Sequence, residues 1–262
     1  MTRFSANLGL LWNDRPLTEA IRAAGSAGFD AVECHWPYAH DAADVKAALD
    51  ETGLQMLGLN TSPGDRTAGE YGLSAVPGRE DDARAAIDQA LAYADAVDAN
   101  NIHVMAGMAS GDDAKSAFIS NLKYAATLAA EANRIILIEP LNHHDAPGYF
   151  LTHTDQARAI IKAVGADNLK LMFDCYHVQI MEGDLTRRID ANMDIIGHIQ
   201  FASVPDRGAP DEGEINFKHI FAHLAASGYD ASIGAEYKPK NGDTDASLGW
   251  MMTAANPSSG QN

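Results

Sequence analysis

The sequence has few positive charges and few cysteines for its length. Its 262 residues carry 19 Lys and Arg against 36 Asp and Glu, which gives a formal net charge of −17. Because affinity for nucleic acid rests mainly on cations that neutralise phosphates, this balance argues against a nucleic-acid partner. Cys34 and Cys175, the two cysteines, are too few for a disulfide scaffold or a cysteine-based zinc site. We expect both to be buried structural residues.

Long apolar runs and targeting signals are also missing. No stretch approaches the roughly 20 consecutive apolar residues that a membrane-spanning helix needs, and the start of the chain lacks a signal-peptide pattern. The sequence therefore predicts a cytoplasmic protein without a membrane partner. Its 46% hydrophobic and 21% charged residues are typical of a packed globular protein.

Short apolar runs alternate with longer amphipathic ones along the whole chain. Eight strand candidates, each followed by helical periodicity, lie at residues 4–10, 30–34, 54–59, 101–105, 134–139, 168–174, 195–200 and 231–236. This alternation predicts a parallel sheet, because parallel neighbours need crossover connections. Eight units in this length favour a closed (β/α)8 barrel, a TIM barrel, over an open doubly wound sheet. The first strand also lacks the Gly-x-Gly-x-x-Gly fingerprint of dinucleotide binding.

The predicted domain organisation is one barrel over residues 1–252 and a polar tail over residues 253–262. Three long loops, at residues 60–78, 141–152 and 201–214, all follow strands. In a barrel these loops lie at the C-terminal face, where active sites are built. Helices on barrel exteriors often pair, so a homodimer is the assembly to expect.

Polar side chains end four consecutive strand candidates: Glu139, Asp174, Gln200 and Glu236. By the two-residue period of a strand, all four converge at the top of the barrel if that face is the interior. A lone acid at a strand end often caps the next helix, but four in succession favour a metal site. Carboxylates in one dry pocket repel one another and need a cation. Oxygen ligands without sulfur suit Mg²⁺ or Mn²⁺ better than zinc.

The two glutamates of this group lie on well-separated strands and could flank a substrate. One of Glu139 and Glu236 would remove a proton and the other would return it. A divalent cation that holds a carbonyl and a neighbouring hydroxyl acidifies the C–H between them and stabilises the enediolate. This is the chemistry of isomerases and epimerases.

Three more residues are candidates for substrate binding. His177 could polarise a substrate oxygen, Arg207 could hold a carboxylate in its planar fork, and Lys238 could face the mouth of the site. The alternatives are a surface histidine, a solvated loop arginine and a charge partner for the acids. The adjacent His143 and His144 resemble a metal pair, but neighbouring residues of an extended loop point apart, so we expect a loop role.

Seven short segments carry a family resemblance in their joint order: Asn7–Trp12, Val32–Tyr38, Ile138–Asn142, Pro147–Leu151, Phe173–Gln179, Gly197–Gln200 and Glu236–Pro239. As a set they resemble the hydroxypyruvate isomerase family of xylose isomerase-like barrels, over about residues 4–240. The resemblance implies interconversion of hydroxypyruvate and 2-hydroxy-3-oxopropanoate (tartronate semialdehyde), or isomerisation of the four-carbon 2-oxo-tetronate. The substrate would thus be a small hydroxy or oxo acid.

The resemblance also implies roles for particular residues. Glu139 and Glu236 would carry the protons, and the same two residues with Asp174 and Gln200 would hold a divalent metal. The chain departs from the family at Cys34-His35-Trp36 and at His143-His144. Both departures lie in the expected pocket wall, so they bear on substrate size more than on reaction type.

Two other functions remain open from the sequence. A ketose 3-epimerase would share the fold and the paired glutamates but would need room for a five- or six-carbon sugar. A non-catalytic barrel could bind a small hydroxy acid, although a pure binder has no need for two opposed proton carriers. The endonucleases of this superfamily are a more distant alternative, because they use many histidines and grip DNA.

Overall fold

A computed structural model describes residues 2–254 of the chain. Within them, eight parallel strands form a closed barrel in sequence order. The strands are β1 (Phe4–Asn7), β2 (Ala31–Glu33), β3 (Gln55–Asn60), β4 (Asn101–His103), β5 (Ile135–Ile138), β6 (Leu169–Asp174), β7 (Ile196–Phe201) and β8 (Ile233–Ala235). Pairing of β1 with β8 closes the sheet. The predicted (β/α)8 barrel is therefore confirmed, and each strand lies within or overlaps its predicted segment.

Helices surround the barrel: α1 (Leu17–Ala27), α2 (Ala42–Thr52), α3 (Glu80–Val97), α4 (Gly111–Glu131), α5 (Thr154–Val164), α6 (Cys175–Met181), α7 (Leu185–Asn192), α8 (Phe217–Ala226) and α9 (Trp250–Ala254). Local signals set their ends. Pro16 directly precedes α1, which ends at the left-handed Gly28. Asp112 and Asp113 place negative charge in the first turn of α4. Among residues 2–254, no helix combines the length and the apolarity needed to cross a membrane.

The tail predicted over residues 253–262 is only partly described. Residues 253 and 254 are the last two of α9, and residues 255–262 lie outside the described residues. The boundary at residue 252 stays a prediction.

The two faces of the strands have opposite polarity. One face packs its apolar residues against the helices, as Phe4, Ile138 and Phe201 do in the main hydrophobic core. The other face carries buried polar side chains such as Asn7 and His198 toward the barrel axis. They leave an inner cavity of only about 10 Å³, so the interior is packed rather than an open channel.

The long loops follow β3, β5 and β7, as predicted. Antiparallel bridges join the loops after β3 and β5 to the segment after β4 at the C-terminal face, where Gly72 pairs with Ala106 and Met108 pairs with Tyr149. Gly72 has a φ of 108°, and a Cβ there would lie 2.7 Å from the backbone of Met105. Glycine is therefore needed at residue 72 for the β3–α3 loop to lie against the segment after β4.

Candidate active site

The four polar residues predicted to converge do so at the C-terminal end of the barrel. Glu139 follows β5, Asp174 ends β6, Gln200 lies in β7 and Glu236 follows β8, and all four are buried. The register pairs Asp174 directly with Gln200. Glu139, Asp174 and His177 offer ligand atoms that all lie within 4.8 Å of one another. The structure thus contains a candidate metal-binding triad at the predicted level.

Three oxygens of this group are buried without a hydrogen-bond partner among residues 2–254: Glu139 Oε1, Asp174 Oδ2 and Gln200 Oε1. Buried acceptors without a partner are rare, and each one calls for an explanation. The three come from neighbouring strands at the same end of the barrel, and hard divalent cations take oxygen ligands of this kind. The residues present therefore fit a divalent cation.

The pKa values of the carboxylates also support a cation at this site. Burial raises the pKa of Glu139 well above its usual value, and repulsion by Glu236 and Asp174 raises it further. Burial also raises the pKa of Asp174 to about 7, although Arg207 opposes the shift. A cation among these carboxylates would reverse both shifts.

Glu236 has different surroundings. Its Oε1 accepts hydrogen bonds from Asn7 Nδ2 at 2.9 Å and His35 Nε2 at 2.8 Å. Its Oε2 accepts one from Arg207 Nη2 at 2.6 Å. Burial alone would raise the pKa of Glu236, but Arg207 and His35 outweigh it and hold the pKa well below its usual range. Glu236 is therefore an ionised and fixed carboxylate.

A second charged pair, Glu33 and His198, lies beneath the site, and Glu33 orients Gln200. Gln200 Nε2 donates to Glu33 Oε2 at 2.7 Å, and the flipped amide would set oxygen against oxygen. Glu33 also accepts hydrogen bonds from Ser5 Oγ and His198 Nε2. Burial would raise the pKa of Glu33, but His198 lowers it overall. Gly234, paired with Gln200 in the register, leaves the space that this cluster fills.

His177 lies in α6 and is buried rather than a surface histidine, because Asp174 caps a helix that begins at the next residue. Burial, aided by the charge of Arg207, lowers the pKa of His177 well below its usual value. The backbone N–H of Asn142 donates to His177 Nδ1 at 3.1 Å, so the ring proton is on Nε2. Nε2 lies 3.7 Å from Asp174 Oδ2 and 3.8 Å from Glu139 Oε1. In this tautomer His177 offers an N–H to the site rather than a lone pair, so within the triad only the two carboxylates can ligate a cation.

The other two substrate-binding candidates differ in position. Arg207 enters the site, where Nη2 is 3.5 Å from Asp174 Oδ2 and Nη1 donates to Asp145 Oδ2 at 3.4 Å. Lys238 is exposed, and its backbone N–H donates to Arg207 O at 2.7 Å. Across residues 2–254, no hydrogen bond or ion pair joins the Lys238 side chain to the carboxylates. The structure thus brings Arg207 into the cluster and leaves Lys238 outside it.

Three functional candidates were missed at the sequence level. Asn7 ends β1 and His103 ends β4, so the strand-end pattern applied to the first half of the chain would have found both. His103 Nδ1 lies 3.5 Å from Glu139 Oε2, and burial lowers the pKa of His103 to about 3. His35 follows β2 in a loop, and no periodicity marks its contact with Glu236.

Two pairs that the sequence singled out lie apart from this cluster. Cys34 and Cys175 are free and buried, as expected of structural cysteines. His143 and His144 lie in an exposed turn with their rings 4.0 Å apart. The loop position is as predicted, but the two rings do not point apart, so the reason given for that prediction was wrong.

Comparison with known proteins defines the class. The chain matches the family model described as "Xylose isomerase-like TIM barrel" over residues 21–254. It therefore belongs to the xylose isomerase-like TIM barrel family.

Closely similar proteins narrow this class. The chain is 46% identical over 255 residues to 2-oxo-tetronate isomerase of Cupriavidus necator. The aligned region covers 96% of this chain and 98% of that protein. It is 39% identical over 255 residues to hydroxypyruvate isomerase of Escherichia coli, again covering 96% and 98%. These likenesses confirm the resemblance to the hydroxypyruvate isomerase family, and the chain is an isomerase.

Solved structures confirm the fold. A crystal structure described as AP endonuclease, family 2, from Brucella melitensis superposes with a TM-score of 0.93 at 42% identity, covering 96% of this chain and 98% of that one. D-allulose 3-epimerase from Methylomonas sp. superposes with a TM-score of 0.80 at 19% identity, covering 97% and 96%. At that identity the second likeness concerns the barrel alone.

Proposed function

We propose that the protein isomerises a short 2-oxo acid by moving a proton between two adjacent carbons. The substrate is hydroxypyruvate, converted to 2-hydroxy-3-oxopropanoate, or its four-carbon analogue 2-oxo-tetronate. The observation that carries the proposal is the pair of buried glutamates, Glu139 and Glu236, at the same end of the barrel as the unpartnered oxygens of Glu139, Asp174 and Gln200. The names of the similar isomerases supply the class of substrate.

The unpartnered oxygens of Glu139, Asp174 and Gln200 would hold Mg²⁺ or Mn²⁺. When bound, the cation would stabilise the negative charge that develops on the substrate oxygens. The family resemblance adds Glu236 to this ligand set. Both oxygens of Glu236 are already hydrogen-bonded, so the other three residues are the better supported ligands.

The two proton carriers have different surroundings. Glu236 is ionised, since Arg207 and His35 outweigh the effect of burial on its pKa, and it can accept the proton from substrate C3. Glu139 would face the cation with Oε1, and its other oxygen can carry the proton that C2 receives. One proton leaves C3 and one reaches C2, while the hydroxyl proton on the C3 oxygen passes to the C2 oxygen, so the reaction balances and needs no oxidant or reductant. In the reverse direction the two glutamates exchange roles.

Two further side chains would act on the substrate oxygens. The Nε2–H of His177 can donate to the oxygen on which charge develops. The Arg207 guanidinium, 2.6 Å from Glu236 Oε2, holds this carboxylate and can attract an anionic substrate. We assign no contact with the substrate to Lys238, whose side chain is exposed.

The test is an NMR time course of the metal-loaded protein in deuterated water. Hydroxypyruvate, 2-oxo-tetronate and D-fructose are supplied in separate runs and then again after chelation. We expect conversion of a short 2-oxo acid, with deuterium entering at C2, and its loss on chelation. Glu139→Gln protein and protein-free samples are the controls for spontaneous exchange.

Other outcomes overturn the proposal. Turnover of D-fructose without turnover of either acid would identify a ketose 3-epimerase. Saturable binding of the acids without hydrogen exchange would identify a non-catalytic binding barrel.

A further inference from the structure

Arg66 is an exposed arginine whose guanidinium lies over two aromatic rings. It lies in the loop between β3 and α3, with its guanidinium carbon 4.4 Å from the ring centroid of Tyr71 and 5.3 Å from that of Trp36. The two rings meet edge to face at 6.2 Å. Within residues 2–254, Arg66 forms no ion pair. Its position is thus fixed by cation–π contacts, and its N–H donors remain free.

These rings connect Arg66 to the reaction centre. The Trp36 ring lies 5.4 Å from the ring of His35, and His35 donates to Glu236. Burial raises the pKa of Tyr71, and the charge of Glu236 raises it further, while Arg66 lowers it. The Tyr71 ring is therefore within electrostatic range of both the acidic centre and Arg66. Arg66 stands at the outer end of a continuous wall of side chains that ends at Glu236.

His198, Arg207 and the proposed divalent cation offset the buried acids of the site, which leaves no free positive charge for an anionic substrate. The interior holds four buried acids: Glu33, Glu139, Asp174 and Glu236. The charge of Arg207 is already matched by Glu236, Asp174 and Asp145. A chain with a net charge of −17 repels an anionic substrate at long range. An unpaired guanidinium at the entrance offsets that repulsion, and its planar fork can bind a carboxylate through two hydrogen bonds.

We infer that Arg66 selects substrates that carry a carboxylate over neutral sugars of the same length. Trp36 and Tyr71 hold the guanidinium at the entrance, where it binds the carboxylate attached to C2 while C2 and C3 lie between the two glutamates. This inference rests on the proposed function, because it names the group that distinguishes its substrates from sugars. Arg66 is a specificity residue and takes no part in proton transfer.

The test compares two ligands that do not react, so it does not depend on turnover. D-glycerate and glycerol differ only in that a carboxylate replaces a hydroxymethyl group, and neither has a carbonyl to isomerise. Their dissociation constants are measured by calorimetry on the magnesium-loaded protein and its variants. We expect Arg66→Gln to weaken D-glycerate about tenfold, the loss of one charge-assisted contact, and to leave glycerol unchanged.

Two variants separate charge from packing. Arg66→Lys keeps the charge but not the fork and should retain part of the preference for D-glycerate. Arg22→Gln removes the same unit of charge from the exposed face of α1, where Arg22 pairs with Glu51, and should change nothing. As a kinetic readout, Arg66→Gln should raise KM for hydroxypyruvate with little change in kcat.

Three outcomes overturn the inference: unchanged D-glycerate binding in Arg66→Gln, equal loss of both ligands, or no preference for D-glycerate in the parent protein. Failure of the proposed function looks different. The parent would then bind D-glycerate through Arg66 and still convert neither 2-oxo acid, which supports the role of Arg66 and rejects the isomerase reaction.

Discussion

The acids on the two sides of the barrel mouth differ in their hydrogen bonding. Beside β1, β2 and β8, both oxygens of Glu236 are hydrogen-bonded to side chains of the chain itself. Beside β5 and β6, Glu139 and Asp174 each keep a buried oxygen without a donor. Opposite pKa directions follow, upward for Glu139 because of burial and its acidic neighbours and downward for Glu236 because of Arg207 and His35.

The difference shows which half of the site the polypeptide completes alone. The Glu236 side is satisfied without any ligand, so it holds a fixed negative charge. The Glu139 side is satisfied only when a cation or a proton arrives. Strongly perturbed carboxylates of this second kind concentrate at functional sites, where binding compensates for their burial. Four measurements test this contrast.

The largest expected effect is on turnover. Glu139→Gln and Glu236→Gln should each lower kcat by about 10²- to 10⁴-fold, because each removes a proton carrier. NMR of hydroxypyruvate conversion measures the rate, and circular dichroism checks the fold. Glu51→Gln, on the exposed face of α2, is the control. A near-normal rate in either variant would mean that the two glutamates do not work as a pair.

The same two variants should move the free energy of unfolding in opposite directions in metal-free protein at pH 7. Glu236→Gln should destabilise it by about 3 kcal/mol, because the buried Arg207 loses its nearest charge partner. Glu139→Gln should be neutral or stabilising by about 1 kcal/mol, because the raised pKa of Glu139 means that folding disfavours its charge. Urea unfolding in the presence of chelator measures both. Destabilisation of similar size in both variants would remove the contrast.

Beneath the site, Glu33→Gln should weaken metal binding about 10- to 100-fold, as loss of the hydrogen bond that orients a ligand does elsewhere. A glutamine at residue 33 no longer forces Gln200 to turn its oxygen toward the site. Titration calorimetry with Mn²⁺ gives the affinity. Ser5→Ala is the matched control, since it removes another hydrogen bond to Glu33 and leaves the one to Gln200. Equal effects of the two variants would argue against this orienting role.

The smallest effect, when it is compared per pH unit, is the change of metal affinity with pH. Burial raises the pKa of Asp174 to about 7, so below this pH the carboxyl is protonated and a cation must displace the proton. Metal affinity should therefore fall by up to about tenfold per pH unit below 7 and level off above it. Calorimetry in buffers of different ionisation enthalpy would detect the released proton. An affinity that does not change between pH 5 and 7 would contradict the assignment of Asp174 as a ligand.

The sequence predicted those parts of the site that local backbone geometry controls. Asp174 and Gln200 lie where the two-residue period of a strand puts them, and the alternation of strands and helices predicted the barrel. The two-residue alternation of side chains holds only within a strand. Strand β8 ends at Ala235, so parity with Glu236 no longer governs Lys238, whose backbone turns to Arg207.

Contacts between distant segments lay beyond such reasoning. Asn7 and Glu236 are 229 residues apart in the sequence and meet only because β1 pairs with β8. The contact of His35 with Glu236 depends on the path of the loop after β2. The cation–π contacts of Arg66 depend on how two loops pack together. The periodicity of a single segment cannot predict contacts of this kind.

Gly234 makes several barrel positions interdependent in evolution and in design. A Cβ at this position would overlap Glu33 Oε1 and would lie 2.9 Å from Gln200 Cγ and 3.0 Å from His198 Nε2. A larger residue on β8 is therefore compatible only with smaller neighbours on β2 and β7. We therefore expect substitutions at these positions to occur together, and a redesign of the metal centre in this barrel would have to change them together.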